Sequence, residues 1–307
     1  MTSSDWQSTG RELWVFRAER PEDLLGVHAN LIAAALTPCE QLRYLLYAPI
    51  WDGDTAPFGI HGQPASHAVA VTTQRFIISE DCHTECSVPS VHTIPFDQVL
   101  SIEVGSALLL GWLALCFVEK DAVCQTALLY NAATGRHHFA AAVRAYRALA
   151  ARHSGRHLSR EDQVQWSEVW RHTARHQTGG LQSLIIDGER PLAMLRAVEL
   201  WTTEKQWRKN VPVCLTTAGM FVATDSGFLS VTDEPAPRPH MLRFGVNVSC
   251  IAPDAVQSMT LREQHVHASS VRFLRVHMGR AAVATHVDIP FDDQSVAAAE
   301  RLLRHRL

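Results

Sequence analysis

Two hydrophobic periods alternate along the chain, and the alternation occurs twice. "LSIEV" sets Leu100, Ile102 and Val104 against Ser101 and Glu103, the two-residue period of a strand with one solvated face. Leu113, Leu115 and Phe117 continue the pattern in the next run. Leu274, Val276 and Met278 show it again far downstream, with Arg275 and His277 on the polar side. Elsewhere the period lengthens to that of a helix. Phe139, Val143, Tyr146 or Arg147, and Leu149 or Ala150 share one face, as do Val296, Ala299 or Glu300, and Leu302 with Leu303. Pro21 opens a further helix with Leu24, Val27, Leu31 and Ala34 on one side. Ser159 and Asp162 make a capping box for another helix near 160–176.

Set against itself, the chain matches in order and type. "AVAVTTQRFIISED" (68–81), "IPFDQVLSIEV" (94–104), "WLALCFVEKDAVCQTALLY" (112–130) and "FAAAVRAYRALAARH" (139–153) form the first copy. The second reads "VPVCLTTAGMFVATDSG" (211–227), "IAPDAVQSMTL" (251–261), "FLRVHMGRAAVATHVDIPF" (273–291) and "QSVAAAERLLRHRL" (294–307). The matched residues are Thr72-Thr73 with Thr216-Thr217, Asp97 with Asp254, Val99 with Val256, and Ser101 with Ser258. Each copy predicts a hairpin turning at Thr73-Gln74 or at Ala218-Gly219, further antiparallel strands, and one closing helix. The organisation expected is an N-terminal tail and helix (1–37), a first domain (38–153), a linker helix (154–180) and a second domain (181–307).

The most apolar stretch, "VGSALLLGWLALCFVEK", is too short to cross a bilayer. Its 15 uncharged residues from Val104 to Val118 would span about 22 Å as a helix, against a hydrocarbon core of about 30 Å. It divides instead into a strand ending at Val104, a turn at "SALLLG" and a strand from Trp112 to Val118. Leu108, Leu109 and Leu110 at the bend are the candidate interaction surface. The second copy carries the polar "REQHVHASS" there, so the leucines call for a cover: the other repeat, a second subunit or a membrane.

Composition narrows the field. With 307 residues, 47% hydrophobic and 19% charged, the chain has the balance of a packed globular protein with room for two domains. A formal charge of −3 gives no drive towards nucleic acid, although protonating all 17 histidines would carry it to about +14. Seven cysteines, an odd number partly set in apolar strands, predict reduced thiols and a cytosolic protein, and no leader-like segment opens the sequence.

The "VTxxR(F/L)" hairpin of Val71 to Phe76, the Ile94-Pro95-Phe96-Asp97 strand entry and Gly111-Trp112-Leu113, followed by one terminal helix, resemble the bacterial pleckstrin-homology-like domains, close to the GRAM group. The second copy shares Leu215-Thr216-Thr217 and Asp254 but lacks the Arg-Phe and Gly-Trp features. The resemblance implies an α+β, strand-rich chain of two PH-like barrels, each a bent antiparallel sheet capped by a helix. It implies a non-catalytic platform for peptides, self-assembly or lipid headgroups, without a cofactor. In lipid-binding relatives, basic residues near the first hairpin hold phosphates. Here that stretch has Asp52 and Asp54, with Arg43 as its fixed cation. The second copy has Trp201, Lys205, Trp207, Arg208 and Lys209, the candidate ligand-binding residues for an anionic headgroup and the basis for peripheral membrane contact.

Other chemistry finds little support. The sequence has no G-x-S-x-G, Walker, dinucleotide-binding or H-E-x-x-H signature. "CHTEC" (82–86) with His92, and His265-x-His267, lack the spacing or the further ligand of a zinc site. The expectation is therefore a non-enzymatic interaction or assembly module, with anionic-lipid binding as the alternative. A small-ligand carrier or unrecognised enzyme would rest on His and Cys residues that converge only in three dimensions, and would need a concave pocket holding at least two of these polar groups.

Overall fold

The structure, a computed structural model, describes residues 13–51, 65–82, 88–154, 164–206, 209–234, 244–266, 269–280 and 282–304. It is α+β and strand-rich. The chain falls into two units, Met1–Phe117 with Cys124–Ala150, and Val118–Val123 with Ala151–Leu307.

In the first unit, β1 (Phe16–Arg17), β2 (Leu42–Ala48), β3 (Ser66–Thr72), β4 (Arg75–Asp81) and β5 (Ser90–Pro95) pair in that order as an antiparallel sheet. A 3-10 turn at Phe96–Gln98 then leads into β6 (Val99–Ala107), β7 (Leu110–Glu119) and β8 (Ala122–Asn131). The helix α1 (His28–Ala35) precedes β2, and α2 (Ala132–Ser154) follows β8. Asn131 starts α2 as its side-chain oxygen accepts the Ala133 N–H at 3.0 Å, satisfying one of the first-turn donors.

All seven residues of β3 are buried, because both faces of the sheet are covered. Ala68 and Ala70 join Ile32, Leu24, Leu45 and Ile77 in a core under α1. On α2, the buried face is Phe139, Val143, Tyr146 and Leu149, as its periodicity predicts, and Tyr146 packs between Phe76 and Phe96 at 5.1 and 4.9 Å.

The second unit repeats this order. After α3 (Trp166–His172) and α4 (Arg175–Leu184) come β9 (Pro191–Ala197), β10 (Leu200–Gln206), β11 (Lys209–Thr216), β12 (Gly219–Thr224), β13 (Gly227–Asp233) and β14 (Gly245–Ile251). A 3-10 turn at Pro253–Ala255 leads into β15 (Val256–Val266), β16 (Ser269–Arg280) and β17 (Val283–Phe291), followed by α5 (Val296–Arg304). The strands β9, β12, β13 and β14 pair as neighbours in that order, and β10 pairs with β11 as a separate hairpin. Leu274, Val276 and Met278 meet Ala299 and Leu302 of α5 in one core, as the two periods predict. Burying side chains of this size contributes about 1.5–3 kcal/mol each.

Three sequence expectations change. First, every hydrogen-bonded sheet among the described residues is open, where the resemblance implied barrels. At the 3-10 turns the chain leaves one sheet and starts the next instead of continuing the ladder. Second, Thr72 corresponds to Thr224, not to Thr216. "VCLTTAGMFVAT" is not a hairpin: β11 pairs back onto β10, and the turn equivalent to 72–75 is Thr224–Gly227. The inserted β10–β11 hairpin produced the slip, and Phe228 then stands where the first copy has Phe76. The other matches hold: β6 and β15 carry the same bulge, between Val99 and Ser101 and between Val256 and Ser258.

Third, the helix expected near 160–176 is two helices, Trp166–His172 and Arg175–Leu184, and the Ser159–Asp162 box lies outside the described residues. Leu181 and Leu184 are buried where α4 packs on β13 and β14, so α4 covers its sheet as α1 covers the first. The buried side chains here are Leu24, ahead of α1, with His28 and Ile32 of α1, whereas Val27 is 37% exposed. Gly26 at φ 59° interrupts the helix before His28 and rotates the face.

Candidate functional site

A glutamate twelve residues after a polar helix residue locks each unit's first hairpin. Thr72 Oγ1 accepts the N–H groups of Gln74 and Arg75 at 3.1 Å, and its proton lies between the Arg75 carbonyl at 3.1 Å and Glu40 Oε1 at 3.2 Å. Thr224 does the same with the Ser226 N–H (3.2 Å), the Gly227 carbonyl (2.9 Å) and Glu189 Oε1 (2.5 Å). Each glutamate's other oxygen accepts a backbone N–H three residues upstream, from Thr37 at 3.1 Å and from Ile186 at 3.0 Å. Neither glutamate was singled out by the sequence reading. The signal is the similar separation from its threonine, 32 and 35 residues.

This correspondence places His28 opposite Gln177 and Asp81 opposite Asp233 in the two copies. In the second unit Asp233 is filled from its own chain: Oδ1 accepts from His176 Nε2 and from Gln177 Nε2, both at 2.6 Å, and Gln177 Nε2 also reaches the Ala218 carbonyl at 3.3 Å. In the first unit, His28 is held between two serines, Nδ1 at 2.7 Å from Ser79 Oγ and Nε2 at 2.9 Å from Ser66 Oγ. Beside it opens a cavity of about 560 Å³. Its polar wall includes His28, Ser66, Asp81 and Asn131; Leu25, Tyr47, Ile50 and Trp51 contribute to the apolar wall. The Trp51 indole N–H is buried without an acceptor. A chamber of this size, mainly apolar with a few polar groups at one side, has the dimensions of a small-molecule site.

His67, next to Ser66, points to the other face of β3. It is 1% exposed, neither ring nitrogen has a hydrogen bond, and Glu80 Oε2 lies 4.0 Å from Nδ1. Burial, aided by nearby His28, lowers its pKa to about 3, so the ring is neutral at physiological pH.

The expected interaction surface lies on the hairpin between β6 and β7. Ala107 pairs with Leu110, so the turn is only Leu108 and Leu109, shorter than "SALLLG". Leu108 is 73% and Leu109 58% exposed, while Leu110 is half-buried and packs beside Trp112. Leu108 has φ 53°, a left-handed conformation unfavourable for a branched apolar side chain.

The basic and aromatic cluster belongs to the β10–β11 hairpin. Lys205 pairs with Asn210 and Lys209 with Gln206, so these positions flank its end. Trp207 and Arg208 lie outside the described residues. Trp201, on β10, donates its indole N–H to the Glu199 carboxylate. Of the motifs weighed for metal, residues 83–86 of "CHTEC" and His267 lie outside the described residues, as do Asp52 and Asp54. Among the described residues, no three His, Cys, Asp or Glu side chains converge as a metal site, and no helix is long and apolar enough to cross a membrane. Cys39, Cys82, Cys116, Cys124, Cys214 and Cys250 are not joined in disulfides.

No protein-family model matches the chain, and no curated protein matches it significantly.

Proposed function

We propose that the chain is a tandem of two PH-like domains acting as a non-catalytic assembly module, with the β6–β7 hairpin tip as its contact point. The twofold succession of four paired strands, a 3-10 turn, three strands and a helix supports the PH-like reading. The assembly role rests on one observation: two neighbouring leucines, more than half exposed, at a turn where polar residues or glycine would cost nothing. The partner proposed is a second copy of this chain. Sedimentation of the full-length protein over micromolar concentrations tests it. Association that Leu109→Asp weakens at least tenfold supports the proposal, whereas a wild-type monomer or an unaltered oligomer overturns it.

A second reading, anionic-lipid binding, draws on the β10–β11 hairpin, which presents Lys205 and Lys209 at its end beside Trp207 and Arg208 in sequence. Flotation with phosphatidylserine vesicles at low salt tests it: loss of co-flotation in Lys205→Glu/Lys209→Glu supports this reading, and no flotation of the wild type removes it.

A further inference from the structure

We infer that the outer face of the β15–β17 sheet binds a divalent transition-metal ion of the zinc, nickel or copper class, ligated by the imidazoles of His277 and His286 with water completing the coordination. The two residues are direct cross-strand partners, His277 on β16 and His286 on β17. Side chains paired in this way leave the same face of a sheet with their β-carbons about 5 Å apart. Leu274, Val276 and Met278 fill the core, so His277, which alternates with them, points outward. The His286 side chain is 47% exposed, and an ion reaches the pair from solvent.

The spacing suits one shared ion. The ring centroids stand 6.2 Å apart. Two metal–nitrogen bonds of about 2.0 Å at the tetrahedral angle would set the centroids about 5 Å apart, so the rings need to close by only about 1 Å.

The surroundings supply what each imidazole needs at its second nitrogen. A ligating histidine donates its other N–H to an oxygen, which fixes the ring and its tautomer. His277 Nε2 lies 3.3 Å from Thr260 Oγ1, and His286 Nε2 faces Asp288 Oδ2 at 3.9 Å. Asp288 is itself clamped, because Arg275 Nε and Nη2 donate to its two oxygens, each at 2.6 Å. With the protons on Nε2, the Nδ1 atoms carry the lone pairs that ligate the ion.

Ligand type and charge select that ion. Imidazole nitrogen favours zinc, nickel and copper, whereas magnesium and calcium take oxygen shells. Arg262 and Arg275 share this face, and Asp288 pairs with Arg275, so an ion held by charge alone gains nothing here. The assembly and lipid readings use neither histidine.

Zinc chloride titrated into the reduced full-length protein, read by long-range 1H–15N NMR of the imidazoles, tests the inference. The rings of His277 and His286, assigned with His277→Ala and His286→Ala, should shift together over one saturable transition, and magnesium chloride should move neither. Each single variant should weaken that transition at the remaining ring by at least about tenfold, with circular dichroism reporting that the variant is folded. Zinc shifts that miss either ring, magnesium shifts of equal size, or a transition that survives unaltered in either variant overturns the inference.

Discussion

Arg75 grips Glu40 through two nitrogens, Nε to Oε1 and Nη2 to Oε2, each at 2.7 Å, while its Nη2 also reaches the Ala35 carbonyl at 3.0 Å. One ion pair therefore ties the end of α1, the entry to β2 and the turn between β3 and β4. The glutamate side chain is 1% exposed. The Arg75 hydrogen bonds and the Thr37 N–H and hydroxyl outweigh burial and lower its pKa from 4.5 to about 2.

A depressed carboxylate pKa stabilises the fold above the unfolded-state value and loses that contribution as pH falls through the folded value. A shift of this size corresponds to about 3 kcal/mol. Glu40→Gln should therefore lower unfolding stability at pH 7 by about 3 kcal/mol, and the difference from wild type should shrink between pH 4.5 and about 2. Urea denaturation across this range measures both. A difference that persists at pH 2 would assign the effect to packing instead of charge.

His67 supplies a second acid-sensitive element with a different window. Its folded pKa of about 3 lies below the ordinary histidine value of 6.5, so the unfolded chain binds the proton first and stability falls as pH drops from 6.5 towards 3. The slope contributed approaches about 1.4 kcal/mol per pH unit. His67→Leu should flatten this part of the stability profile. It should also stabilise the protein at pH 7 by about 1 kcal/mol, because it replaces a buried imidazole lacking hydrogen bonds with an apolar side chain. A wild-type slope retained in the variant would locate the titration elsewhere.

Gly105 on β6 faces the Trp112 indole, and a Cβ there would sit 1.9 Å from a ring carbon. Trp112 is fully buried, so the ring cannot swing into solvent. Gly105→Ala should destabilise the protein by about 1–3 kcal/mol, the usual cost of overfilling a packed core. Chemical denaturation measures the loss, and an unchanged stability would refute the clash with Trp112.

Leu108 occupies a backbone conformation that costs a branched residue about 1–2 kcal/mol. Leu108→Gly should raise stability by about 1 kcal/mol and also lower self-association. The two measurements, denaturation and sedimentation, separate the strained backbone from the exposed side chain. Lower stability in the variant would refute the strain argument.

The second unit shows how far sequence reading reaches. Leu274, Val276 and Met278 were legible as an inward face because every second residue of a strand points the same way, and Ala299 with Leu302 because helical spacing does the equivalent. The repeat itself was legible too, down to Asp97 with Asp254 and the strand starts at Val99 and Val256. It slipped at Thr216-Thr217, since identical neighbours outweighed the pattern "ATDSGF", whose Thr224 makes the same turn as Thr72 through hydroxyl geometry.

The sequence alone determined the local periods and the strand-rich class, because each depends on residues close together in the chain. Which residues meet across the chain was decided by the tertiary structure. His28 reads as a polar interruption of a helix, yet 38 and 51 residues later it finds Ser66 and Ser79. Asp233 likewise ends its strand as an ordinary polar residue, and only folding brings it a histidine and a glutamine. Pairing across tens of residues depends on which helix is laid over which sheet, and no local period encodes that.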